Sequence, residues 1–243
     1  WISTVFISGG NWLQQVTLGW LAWEMTESPL QVGAVLGLRT APLLCSPIAG
    51  VLADRFDRRK MLMVDQAAMA VVGVGFALIL IFDAQEVWHL YAFALIVGFL
   101  WVINNPVRQA LVANSVPAEE LMNAIALNSM AFNSMRMLGP AVGGLLIAAF
   151  GPGINFLLQG VLYTMVLVMM FPFKVLYSTT NRDNVRSQSV LHNLVEGVKY
   201  VWHEPTTLTI TLMTTVLTLT ILSFAMNQMP VYAAEVLLDD NGS

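Results

Sequence analysis

The sequence predicts an all-α membrane protein, and three observations carry that reading. Hydrophobic residues make up 57% of the 243 residues, only 11% are charged, and mean hydropathy is +0.69. Soluble domains hold about a quarter charged residues, so lipid is the expected solvent. Seven apolar runs, 1–23, 30–53, 61–82, 87–111, 121–150, 154–170 and 208–229, reach or approach the length of about 20 residues that a span needs. Strands of a membrane barrel are shorter and alternate in polarity; these runs do not alternate. Finally, basic residues mark alternate connections. The turns near 24–28, 83–86 and 151–153 and the stretch after Pro230 hold no Lys or Arg, whereas 50–60 holds Arg55, Arg58, Arg59 and Lys60, and 174–204 holds Lys174, Arg182, Arg186 and Lys199. By the positive-inside rule the basic side is cytoplasmic. The start of the chain is then expected inside and its end outside.

Other classes fit poorly. Cys45 is alone, so no disulfide framework or cysteine metal cluster is expected, and no cofactor is implied. A net charge of −4 is too mild to suggest nucleic acid. Neither G-x-S-x-G nor H-E-x-x-H occurs, and no pair of carboxylates lies deep in a span, which argues against an intramembrane enzyme. No basic leader precedes the first run, so a signal peptide is not expected. The chain opens on Trp1 inside an apolar run, and we read it as part of a longer chain.

In the first span Asn11, Gln14 and Gln15 stand at i, i+3 and i+4 on one face. Amides in hydrocarbon need partners, so this face should point into the bundle or a wet cavity, with helix–helix glue as the plainer alternative. The second span carries Arg39 at depth, at a cost of roughly 2.5–3.5 kcal/mol on insertion scales. A carboxylate, backbone carbonyls, water or an anionic ligand must offset it. Glu24 stands at the outer end of the first span and Asp65 about one turn into the third, so neither matches that depth. Pro42 and Pro47 free backbone groups in the same span and are expected to kink it.

The turn 50–60 reads GVLADRFDRRK, a dense charged knot between apolar runs; a solvated loop is its plainest reading. In the fourth span Asn104, Asn105, Pro106 and Arg108 lie toward the cytoplasmic end, where Arg108 is close enough to the surface to snorkel. In the fifth span Asn128, Ser129, Asn133, Arg136, Pro140 and Gly143 recur on one face. Gly139 and Gly143 form G-x-x-x-G, which lets another helix approach closely, and Pro140 bends the axis. This suits a moving joint as well as static packing. Arg136 lies mid-span, like Arg39. Two deep arginines without a local carboxylate suggest an electropositive cavity that prefers anionic or hydrogen-bonding substrates to permanent cations.

After the sixth span, 177–188 is polar and reads as a linker. Val190, Leu191, Leu194, Val195, Val198, Val201 and Trp202 then recur at helical spacing, which predicts an amphipathic helix at the cytoplasmic membrane face. The seventh span is rich in threonine, whose hydroxyls can bond their own backbone. Asn227 and Gln228 near its outer end are cavity candidates.

The charged knot resembles the signature loop of the major facilitator superfamily, G-x-x-x-D-[RK]-x-G-[RK]-[RK]. Gly50, Asp54, Arg55, Arg58 and Arg59 match it. Asp57 stands where many members have glycine, and aspartate tolerates a left-handed turn better than most residues. RFDRR and NNPVRQAL are similar to stretches of the drug and siderophore exporter branch that includes the enterobactin exporter. MRMLGPAVGG resembles the fifth-span antiporter motif G-x-x-x-G-P-x-x-G-G: Gly139, Pro140, Gly143 and Gly144 match, and Met135 replaces the leading glycine.

The resemblance implies a six-helix N-terminal bundle (1–175), a cytoplasmic linker (176–206) and the first helix of a second bundle (207–243), within a twelve-helix transporter that works by alternating access. It implies a conformational latch built from the signature residues with Asp65 and Arg108, and a cavity lined by Asn11, Gln14, Gln15, Arg39, Asn104, Asn128, Asn133, Arg136 and Asn227. The expected function is proton-driven export of a small molecule, such as a drug or siderophore, by a monomer in the bacterial inner membrane. Uptake or facilitated diffusion on the same fold is the alternative. Proton coupling needs an intramembrane acid or histidine; His89, His192 and His203 lie at span ends or in the linker, and Asp65 and Glu24 look peripheral.

Overall fold

The structure, a computed structural model, describes residues 1–46, 50, 56–172, 199 and 201–217. Among the described residues seven α-helices fall one on each expected span: α1 (Ile2–Thr26), α2 (Pro29–Thr40), α3 (Arg58–Ile81), α4 (Val87–Ala113), α5 (Leu121–Phe150), α6 (Pro152–Met170) and α7 (Pro205–Leu217). Among the described residues there is no strand. α3, α4 and α6 are long and apolar enough to cross a membrane by length and composition alone. α1 and α5, with 25 and 30 residues, have the length, but their polar stripes dilute the hydropathy. The described parts of the second and seventh spans, α2 and α7, are shorter.

The second span is interrupted at Pro42, where a kink was expected. Its α-helix stops at Thr40 and tightens into a 3₁₀ turn, Ala41–Cys45. Pro42 cannot donate to the carbonyl one turn back, and its ring crowds that carbonyl. The Thr40 hydroxyl also donates to the carbonyls of Gly37 at 2.9 Å and Leu36 at 3.3 Å, which competes with the helical ladder. Pro47 lies outside the described residues, as do most of the amphipathic stretch 190–202 and the residues Asp54, Arg55, Asn227 and Gln228.

Asp57 also differs from expectation. It is extended, with φ −68° and ψ 111°, and its carboxylate accepts the Lys60 N–H at 3.1 Å. It therefore caps the orphan donors of α3 and does not take the left-handed conformation. Left-handed residues close other turns: Glu27 after α1, Asp83 after α3 and Gly151 between α5 and α6.

Helix contacts are set by small residues. α3 and α6 pack most extensively, because a Cβ on Gly160 would stand 2.5 Å from Val74 Cγ2. α1 lies between α5 and α6. There Gly139 faces the Trp12 Cβ, which a Cβ of its own would meet at 2.6 Å, and Gly143 faces Leu13. α2 lies on α4 at Gly98, where any Cβ would collide with the Arg39 carbonyl oxygen. The apolar core between α3, α4 and α6 centres on Phe76, Phe93 and Phe156, with ring centroids 4.4–5.1 Å apart, a favourable aromatic spacing. α5 buries only Ala131, Gly139 and Gly143, and no residue of α7 is buried.

Candidate functional site

The bundle encloses a set of buried polar and charged side chains. α1 supplies Asn11 and Gln14, α2 Arg39, α3 Asp65 and Gln66, α4 Asn104 and Arg108, and α6 Gln159 and Tyr163; all are buried. Charge inside a span needs partners or water, and the partners differ along this network.

Arg39 is 9% exposed. Its Nη2 donates to Asn11 Oδ1 at 2.6 Å, and its Nη1 reaches Gln15 Oε1 at 3.5 Å. The offset for this deep cation is thus the amide face of the first span, which is none of the partners anticipated above. Asp65 is 3% exposed. Its Oδ2 accepts from Asn104 Nδ2 at 2.5 Å and from Gln66 Nε2 at 3.1 Å, while Oδ1 has no partner. It looked peripheral from the sequence. In the fold α3 starts at Arg58, so Asp65 stands about two turns in, covered by its neighbours. Tyr163 is 1% exposed. It lies within electrostatic reach of Arg39, Asp65 and Arg108, and its hydroxyl is unpartnered.

Arg108 does not snorkel. It is 6% exposed, and its Nε and Nη1 are buried without a partner. It lines a cavity of about 320 Å³ at one end of the bundle. Ile7 of α1, Leu62 of α3, Leu111 of α4, Asn128 of α5 and Met170 of α6 also line it. In an alternating bundle the starts of α1, α3 and α5 and the ends of α4 and α6 share one side. Arg59 ties that side together, with Nε donating to the Met170 carbonyl at 3.1 Å and Nη2 to the Phe171 carbonyl at 2.6 Å. A cation on the last carbonyls of α6 is favourable in itself. Across the mouth, Thr4 Oγ1 donates to Asn128 Oδ1 at 2.8 Å, and Trp1 Nε1 to the Leu127 carbonyl at 3.0 Å.

Of the expected cavity residues, Asn128 lines this cavity, while Asn11, Gln14, Arg39 and Asn104 belong to the buried network and Gln15 stands at its half-buried edge. Asn133 is exposed and donates to the Ser129 carbonyl of its own helix at 2.9 Å. Arg136 is not a second deep, bare arginine. It is half-buried, with its guanidinium carbon 5.7 Å from the Trp12 ring centroid, a cation–π contact. Gly50 is half-buried and Gly144 exposed, each beside open space. Gln66, Gln159 and Tyr163 escaped the sequence reading. Gln159 and Tyr163 stand at i and i+4 in an apolar span, the same signal that singled out Asn11, Gln14 and Gln15.

The chain is similar to several curated proteins. It is 28% identical to the staphyloferrin A transporter of Staphylococcus aureus over 68% of this chain and 43% of that protein. It is 28% identical to the multidrug efflux pump Tap of Mycolicibacterium fortuitum over 81% of this chain and 49% of the pump. It is 26% identical to the enterobactin exporter EntS of Shigella flexneri over 61% of this chain and 37% of the exporter. The matched stretch spans less than half the length of each of these relatives. No solved structure matches the chain. The model of the transmembrane secretion effector family matches residues 1–242. With seven helices on seven apolar runs and a family match over almost the whole sequence, the chain belongs to the transmembrane secretion effectors, a family of major facilitator transporters.

Proposed function

We propose that the protein is a secondary active transporter that exports a small molecule by alternating access, driven by a proton gradient. The observation that carries this is the buried polar network through α1, α2, α3, α4 and α6. A bundle that only had to hold together in lipid would gain little from burying arginine, aspartate and unsatisfied amides. The relatives, a staphyloferrin A transporter, an enterobactin exporter and a multidrug efflux pump, favour export of that kind of cargo.

Asp65 is the carboxylate we assign to the proton, since it is buried in a span among Asn104, Gln66 and Tyr163, whereas Glu24 is exposed. The signature turn, with Gly50, Asp54, Arg55 and Arg58, acts as the latch between conformations, and Arg59 anchors the start of α3 to the end of α6. In this reading the protein is a monomer in the bacterial inner membrane, with its first residues on the cytoplasmic side.

Inverted, energised vesicles carrying the full-length protein test the reading. A panel of labelled siderophores and drugs should contain a compound that accumulates inside them. Accumulation of that compound only in right-side-out vesicles would make the protein an importer. Asp65→Asn should lose gradient-driven accumulation yet keep substrate exchange at zero gradient; gradient-driven accumulation at the wild-type level would remove the proton from Asp65. Asp54→Asn should insert normally and slow transport; wild-type turnover in that variant would end the latch assignment.

A further inference from the structure

Arg108 occupies an unusual setting. The residue is 6% exposed, yet two of its three guanidinium nitrogens are buried without a partner. The carboxylate buried in the same bundle, Asp65, accepts from Asn104 and Gln66. Among the described residues, Arg108 is the only charged side chain lining the 320 Å³ cavity. The remaining walls are mostly apolar: Ile7, Leu62, Leu111, Val166 and Met170 lie beside it, and Asn128 is at the rim. An unpartnered buried guanidinium is costly, and a planar fork of donors suits an oxyanion more than any other ligand. The volume falls at the small end of ligand pockets, which run from about 300 to 1,000 Å³.

We propose that this cavity is a binding site for an amphiphilic anion, with its carboxylate, sulfonate or phosphate on Arg108 and its apolar body against Ile7, Leu62, Leu111 and Met170. This deepens the exporter reading, and calling the anion cargo rests on that reading. The cavity lies at the end of the bundle that carries the basic turn, so it is the point where such a molecule would enter from the cytoplasm. Arg39 is placed differently, because both of its terminal nitrogens are engaged by Asn11 and Gln15, leaving only Nε without a partner, and it does not line the cavity. The selectivity for anions expected from Arg39 and Arg136 thus moves to a residue first assigned to the latch.

Two probes with nearly the same aromatic body separate charge from size. Full-length protein in phosphatidylcholine nanodiscs is titrated with 8-anilinonaphthalene-1-sulfonate and with N-phenyl-1-naphthylamine, which lacks the sulfonate. Empty discs provide the background. Arg108→Gln should raise the Kd of the sulfonate about tenfold, the effect of losing a charge-assisted contact, and leave the neutral amine within about twofold. Unchanged sulfonate binding, or equal weakening of both probes, would overturn the proposal. Ala124→Trp, at a small residue of the cavity wall, keeps the test alive if Arg108→Gln does not fold. It should abolish binding of the sulfonate, and undiminished binding would likewise refute the site.

Repeating the wild-type titration in phosphatidylglycerol discs distinguishes the two sources of such an anion. A raised Kd names a lipid headgroup and an unchanged one a soluble solute; both support the site. The titration uses no gradient. Arg108-dependent binding without gradient-driven accumulation sinks the exporter reading alone, and accumulation with binding indifferent to Arg108 sinks this inference alone.

Discussion

Arg39 and Arg108 are both cations buried within the helices of one bundle, each less than a tenth exposed. Arg39 faces α1 and is met by the amide oxygens of Asn11 and Gln15. Arg108 faces a cavity and is met by no hydrogen-bond partner at Nε or Nη1. Arg39 has both terminal nitrogens engaged and only Nε bare inside packed helices, whereas Arg108 has two bare nitrogens beside a cavity. The difference teaches how to sort charges in a membrane bundle: a buried cation whose donors are occupied by neighbouring helices holds those helices together, and one left bare beside a cavity is available to a ligand. Burial alone does not distinguish them.

The Arg39 region depends on how nearly α2 approaches α4, and Gly98 sets that approach. The obstacle to a side chain there is the Arg39 carbonyl oxygen with the Pro42 ring behind it. A carbonyl of the main chain cannot swing aside like a flexible side chain, so Gly98→Leu must push α2 away and draw Arg39 off Asn11. We expect a loss of about 3 kcal/mol, the upper end of overpacking costs, read as a lowered midpoint of thermal unfolding in detergent. An unshifted midpoint would break the account of the Arg39 region at its base.

Arg39→Leu is a smaller and more specific blow. It leaves Asn11 Oδ1 buried without its donor, at a cost of about 2 kcal/mol. Asn11→Leu in the same protein should recover most of that, because replacing both partners of a buried polar pair by apolar groups is nearly neutral. The four proteins of this double-mutant cycle, melted side by side, report the coupling directly. Additive losses would mean that Arg39 and Asn11 do not hold each other.

This contrast was only half legible in the sequence. Seven apolar runs and the alternation of basic turns were visible because bilayer thickness and the positive-inside rule act on composition, without regard to tertiary contacts. Gly139 and Gly143 were legible too: the close approach that G-x-x-x-G predicts is made against Trp12 and Leu13. Which face of α1 Arg39 would meet was not legible, since Asn11 and Gln15 are more than twenty residues away and only packing brings them together. Arg108 was misread because depth was judged by distance along the chain from a span end. The starts of α1 and α5 and the end of α6 extend past it, so a position near the end of α4 is still enclosed. The break at Thr40 was legible as the kink expected from Pro42.

The smallest expected effect separates the two regions most sharply. Arg108→Leu removes a guanidinium that lacks partners at two nitrogens, so little hydrogen bonding is lost, and it puts an apolar side chain against apolar walls. Desolvating a charge without compensating bonds opposes folding, and replacing such a charge by a packed hydrophobe is neutral or stabilising. The melting midpoint should therefore hold or rise, where that of Arg39→Leu falls. A structural arginine would show the opposite pattern, with a loss in stability comparable to that at Arg39. Should Arg108→Leu melt as early as Arg39→Leu, the two arginines would be equivalent struts, and the cavity would have no claim to a charge kept for a ligand.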